Sequence, residues 1–187
     1  AAKEKKIKEA EDQSRAISEG ISKTATLDLP SGTPPFITDS LDAYVRRGMK
    51  QWEIPGLAIV IVKDGKIIGS GCNSVITTND PTAHAEVVAI REACRKLNSF
   101  QLEGCEVYTT CEPCPMCMGA LYWARPAKVY YANSRADATG IGFDDSFIYE
   151  EIVLPLDKRK MLMIGLHLNE AKDMFEEWKK MNNKTLY

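Results

Sequence analysis

Histidine is scarce in this chain: only His84 and His167 occur in 187 residues, so a site built on several imidazoles is excluded. An excess of one charge is also missing. Lys and Arg total 24 against 26 Asp and Glu, a formal net charge of −2, so the chain as a whole offers no strongly basic field for nucleic acid. No apolar run approaches the roughly 18–20 residues of a membrane span. Ser-x-x-Lys is absent, which leaves a serine hydrolase of that type without its nucleophile signature. The 6 cysteines lack regular disulfide spacing and gather near one motif, which points to a reducing compartment, expected to be the cytoplasm. No internal repeat is visible.

The chain does carry a split motif. Thr82-Ala83-His84-Ala85-Glu86 opens one segment, and Cys111-Glu112-Pro113-Cys114-Pro115-Met116-Cys117 opens another. His84 offers an imidazole and Cys114 and Cys117 offer thiolates, the N/S set that zinc prefers. Three protein ligands leave a fourth tetrahedral position for water, as catalytic zinc sites do and closed structural sites do not. Cys111 is a conceivable fourth ligand, but neither it nor His167 is expected to serve. His167 sits in an apolar, strand-like run where a core or edge histidine is expected, and Pro113 with its turn directs Cys111 away. Glu86, two residues beyond His84, is within reach of the metal's water without being a ligand. Either half alone is a weak signal; together, in this order, they form the His-x-Glu … Pro-Cys-x-x-Cys signature of zinc deaminases. The chemistry expected is hydrolytic deamination, with hydroxide on the one Zn2+ attacking a ring carbon and Glu86 shuttling protons.

Residues 1–34 read as an N-terminal extension and linker: a Lys/Glu/Ser/Ala-rich stretch, solvated, followed by Leu-Pro-Ser-Gly-Thr-Pro-Pro. Residues 35–187 read as the deaminase domain. Thr38-Asp39-Ser40 caps a helix near 40–51. Leu57–Val62 and a run from Ile67 flank Lys63-Asp64-Gly65-Lys66, a strong hairpin signal. A helix is expected over 83–97 with Val87, Ile90, Cys94 and Leu97 on its apolar face, placing His84 and Glu86 in its first turn. Strands are expected at 106–110, 128–132 and 160–168. Helices are expected from Pro113 through Arg125, with Cys114 and Cys117 on one face of the first turn, and at 171–181. The order predicts an α/β fold, a central mixed sheet covered by helices in three α/β/α layers.

From about Asp64 to Tyr187 the chain resembles the cytidine-deaminase-like superfamily, and within it the small bacterial guanine deaminases. The resemblance runs through Asp80–Glu86, Cys111–Cys117 and Gly119-Ala120-Leu121-Tyr122-Trp123-Ala124-Arg125. Its most discriminating stretch is Gly142-Phe143-Asp144-Asp145-Ser146-Phe147-Ile148-Tyr149. It implies a guanine-to-xanthine reaction in which Asn73, Ala85, Trp123, Asp145 and Tyr187 contact the base. It also implies a homodimer whose C-terminal segment crosses to the partner, so that Tyr187 closes the neighbour's site. From the residues alone, Asn73 could equally be a turn residue, Trp123 core and Tyr187 a chain end. The family's Gly-Pro-Phe-Gly at the first strand is replaced by Ile54-Pro55-Gly56-Leu57, and residues 35–68 resemble instead the start of serine β-lactamase-like hydrolases. The sequence also admits a deaminase of guanosine, adenine, cytosine or another base, an RNA-editing enzyme, and an inactive zinc-stabilised interaction module.

Overall fold

The computed structural model describes residues 58–185. The expected extension, the helix near 40–51, most of the β-lactamase-like segment and Tyr187 lie outside the described residues. The chain divides after Ser134 into two compact units.

The first unit is built on a four-stranded sheet of order β2-β1-β3-β4, with β1 at Ala58–Lys63, β2 at Lys66–Cys72, β3 at Glu106–Cys111 and β4 at Lys128–Asn133. β1 pairs antiparallel with β2 and β3, and β3 pairs parallel with β4, so the sheet is mixed as expected. Asp64 (φ 49°) and Gly65 (φ 72°) both take the left-handed conformation that an Asp-Gly two-residue hairpin requires. Three helices interrupt the strands: α1 at Val75–Thr78, α2 at Ala85–Leu97 and α3 at Pro115–Ala124. α1 was not expected; it forms inside the polar stretch between β2 and the first motif. α2 stops at Asn98 and α3 at Arg125, each left-handed.

Alternation along the strands separates two buried faces. Ile59, Ile61 and Val107 pack with Ala85, Ala89 and Ala93 of α2 and Leu121 and Ala124 of α3. Val60, Val62 and Tyr108 form a second cluster on the opposite face, with Tyr130 against it. A sheet buried on both faces is the arrangement of a three-layer α/β/α fold. The face of α2 differs in one respect from expectation. The innermost positions are the alanines at 85, 89 and 93, while Val87, Ile90, Cys94 and Leu97 are half-buried flanks. Small residues lie innermost because β2 presents Gly69 and Gly71 there, and the helix comes close.

The second unit runs from Arg135 and contains α4 (Arg135–Gly140), α5 (Ser146–Ile152), a single 3₁₀ turn (Leu156–Lys158) and α6 (Asn169–Lys180). Arg135 stacks over Tyr149 at 4.5 Å, and the Arg159 guanidinium donates to the carbonyls of Ile152 and Leu154. The strand expected at 160–168 is not formed. That run is irregular and exposed, and His167 in it is exposed at φ 49°, not a core or edge-strand residue. A strand exists only where a neighbour takes its backbone hydrogen bonds, and among the described residues no strand pairs with this one.

Candidate metal centre and active site

Two helix starts carry the site. His84 is the N-cap of α2 and Cys114 the N-cap of α3, one residue outside the first turns where they were expected. The shift is physical: both residues take extended backbone, with ψ near 153° and 168°, which the cap position demands and the helix interior forbids. The Cys114 sulfur accepts the Cys117 N–H at 3.5 Å, doing the work of a capping oxygen, and Pro115 follows where no amide hydrogen is needed.

The side chains converge. Cys114 Sγ and Cys117 Sγ each lie 3.5 Å from His84 Nδ1, and the three donor atoms fall within 4.8 Å of one another. Tetrahedral zinc with its usual bond lengths would hold sulfur and nitrogen ligands about 3.6 Å apart. The donor set and its spacing therefore fit zinc bound through Nδ1. Cys111 is not part of the set; its sulfur is turned toward the Ser134 carbonyl at 3.9 Å. Its backbone segment is fixed by Glu112 N–H donating to Asn133 O and by Asn133 Nδ2 donating to Thr110 O, both 2.8 Å.

Glu86 occupies the first turn of α2 and is 8% exposed, the one charged residue buried among the described residues. Its Oε2 accepts from Cys117 Sγ at 3.4 Å, which sets the carboxylate beside the donor triplet. Burial pushes its pKa up, against hydrogen bonds from its own N–H and from Cys117 that pull it down. The two thiols diverge. The neighbouring Cys117 side chain, His84 and the Cys117 N–H lower Cys114 to about 4, while the neighbouring Cys114 sulfur and burial raise Cys117. One thiolate is thus already favoured before any metal arrives, and the start of α3 adds its positive dipole end.

The substrate residues implied by resemblance are placed less evenly. Asn73 closes β2 and its Oδ1 accepts the Val75 N–H at 3.1 Å; the next residue, Ser74, donates to the Ala83 carbonyl at 2.9 Å. This ties Asn73 to the segment leading into His84. Ala85 is buried between His84 and Glu86. Trp123, near the end of α3, is 62% exposed and so is not the core residue its chemistry alone suggests. Asp145 belongs to the second unit, as the N-cap of α5. The loop before His84 is ordered by Asp80, which accepts the Thr82 N–H at 2.8 Å and its hydroxyl at 2.7 Å and faces Arg91 at 3.7 Å. Those roles were missed, though Asp followed two residues later by Thr is a recognisable turn signal.

Residues 43–133 match the cytidine and deoxycytidylate deaminase zinc-binding region. The chain is 55% identical over 128 residues to a guanine deaminase of Bacillus subtilis (strain 168), spanning 68% of this chain and 82% of that protein. The chain belongs to this zinc-binding deaminase family. A crystal structure of the Bacillus subtilis guanine deaminase superposes with a TM-score of 0.72 at 50% identity, covering 77% of this chain and 92% of that one. A tRNA-specific adenosine deaminase of Aquifex aeolicus (strain VF5) is 51% identical over 87 residues, covering 46% of this chain and 57% of that protein. The His84–Cys114–Cys117 triplet could hold the zinc that this family's domain binds. Among the described residues no helix is long and apolar enough to cross a membrane.

Proposed function

We propose that this deaminase hydrolyses guanine to xanthine and ammonia. The observation that carries the reading is the buried Glu86 carboxylate set 3.4 Å from Cys117 Sγ, beside a cluster of three donors that would leave a tetrahedral zinc one position for water. The choice of guanine is supported by the 55% identity to a guanine deaminase and by Gly142–Tyr149.

Zinc, when bound, supplies a Lewis acid that brings the pKa of water down toward about 7. Glu86 takes one proton from the attacking water and gives it to the ring nitrogen beside the reacting carbon as the C–O bond forms; it then takes the proton of the new hydroxyl and gives it to the amine, which leaves as ammonia as the C–N bond breaks and the carbonyl forms. Its raised proton affinity suits this task, because the carboxyl must hold the proton between the two transfers. Asn73 spends its Oδ1 on Val75 and presents its amide nitrogen as a donor to the base. Ala85 offers a first-turn backbone N–H, one of those a helix leaves unsatisfied. Asp145 accepts from the donor face of guanine, its N1–H and amine, which a carboxylate matches with two acceptors. Trp123 packs on the base.

The functional unit in this reading is a homodimer that exchanges C-terminal segments, with Tyr187 closing the neighbour's site. Support comes from the second unit taken by itself: among its described residues no helix has a buried residue, and Leu162 and Phe175 are 79% and 69% exposed. A second copy would cover such apolar surface. The place of action is the cytoplasm, consistent with 6 cysteines none of which forms a disulfide.

The test is ammonia release from guanine, guanosine, adenine, cytosine and cytidine, with zinc measured on the same sample. Guanine-selective turnover at about one zinc per chain is expected. Zinc without turnover on guanine would overturn the reading.

A further inference from the structure

We infer that Gly71 is a positioning residue for the metal centre: its missing side chain sets how deeply the first turn of α2 seats on the sheet, and so where His84 and Glu86 stand relative to the two cysteines. A Cβ on Gly71 would lie 2.3 Å from the Ala85 carbonyl oxygen, 2.8 Å from the Ala89 nitrogen and 3.1 Å from Val88 Cβ. The two closest atoms are helix backbone, the acceptor and donor positions of one i→i+4 pair. No side-chain rotation can therefore relieve the clash; the helix start itself must move. Ala85 lies between His84 and Glu86, so it carries both with it.

The cysteines do not share that seat. α3 rests on the core through Leu121 and Ala124, and the segment before it is tied to β4 by the Glu112–Asn133 hydrogen bond. The imidazole and carboxylate half of the site meets the thiolate half where α2 and α3, each seated on the sheet, come together. Gly71 thus controls one side of the 3.5 Å nitrogen–sulfur separations and of the 3.4 Å approach of Glu86 to Cys117. Its glycine identity serves space, since its backbone, unlike that of Gly65 and Gly104, is not left-handed.

Gly69 supplies an internal control. A Cβ there meets the Ala89 oxygen at 2.7 Å, Ala93 Cβ at 2.8 Å and the Ala93 nitrogen at 3.0 Å: the same interface, a turn farther from the site. Overpacking at either glycine should lower thermal stability. Only Gly71→Ala should also shift the visible absorption of the cobalt(II)-substituted protein and lower kcat per bound metal by about a hundredfold, with KM little changed. The inference overturns if Gly71→Ala and Gly69→Ala show the same cobalt spectrum and the same kcat per metal.

Should Gly71→Ala fail to fold, the comparison moves to Ile59→Val and Ile61→Val. These buried residues pair across the sheet with Gly71 and Gly69 respectively, and trimming one methyl is a milder disturbance. A cobalt spectral shift confined to Ile59→Val is expected, and equal shifts would sink the idea. The kinetic arm rests on the guanine reading, whereas the spectrum needs no substrate. Parent protein inactive on guanine would count against that reading and leave the spectral comparison decisive for Gly71.

Discussion

Glu86 could have been another alanine as far as packing is concerned, since Ala85 and Ala89 fill the neighbouring buried positions of α2. Burying a carboxylate there costs solvation and raises its pKa, an expense that only chemistry at the site offsets. Glu86→Gln keeps the shape and removes the proton carrier. Zinc content should stay at the parent level while kcat falls about 10³-fold, within the usual range for a positioned acid–base group; near-parental turnover in a steady-state assay would take Glu86 out of the mechanism. Asn73 is separable in the same way. Asn73→Asp preserves the acceptor that holds Val75 N–H but replaces the amide donor with an acceptor. Thermal stability should be nearly unchanged, and kcat/KM for guanine should drop at least about tenfold, the scale of a lost or reversed hydrogen bond in a site. A variant that loses stability and keeps kcat/KM would make Asn73 a turn residue only.

The elements show where sequence reading succeeds and where it stops. The cluster of three donors was legible because it depends on local spacing: Cys114 and Cys117 fall together on any helix start, and His84 stands two residues from Glu86 on another. The hairpin was equally local, fixed by Asp64 and Gly65. The seam of Gly69 and Gly71 against Ala85, Ala89 and Ala93 was not legible, because an apolar-periodicity reading favours large side chains and passes over contacts made by backbone. Residues 160–168 have a strand's composition without a partner that the sequence could name, and Trp123 has a core residue's chemistry at an exposed position. The far face of the sheet also resisted reading. There Tyr108 stacks on Tyr130 with ring centroids 4.9 Å apart, and its hydroxyl donates to Glu106 Oε2. Burial, then the Glu106 carboxylate, raise the pKa of Tyr108 well above that of a free phenol. The sign follows: the folded state holds the phenolic proton more tightly than the unfolded chain. This contribution is complete below the unfolded value of about 10 and is lost as pH rises above it. Denaturant melts between pH 8 and 11 should therefore show stability falling at the alkaline end, and Tyr108→Phe should flatten that fall. An equally steep decline in the variant would assign the effect to other groups.

At the scale of the whole molecule, the question is whether a site is completed by its own chain or by a second copy. The two described units differ in kind: the first buries a sheet on both faces, while the second has helices without a buried residue. Amphipathic α6 shows the same pattern, with Met174, Phe175 and Trp178 exposed along one stripe. An exchanged homodimer makes a quantitative demand that a monomer or a side-by-side dimer does not. Consider one variant that carries Glu86→Gln with an intact C-terminus, and another that keeps Glu86 but lacks Tyr187. Each should be nearly inactive alone. If Tyr187 closes the partner's site, a mixed dimer holds one site with both Glu86 and a donated Tyr187, and one site with neither. Unfolding and refolding an equal mixture pairs the chains at random, so about half the dimers are mixed and activity should recover to about a quarter of the parent's. If Tyr187 acts within its own chain, no site in the mixture holds both groups and activity stays at the baseline of the separate variants. Recovery near one quarter, measured as ammonia released per zinc, places the C-terminus in the neighbour's site, and a flat result returns it to its own.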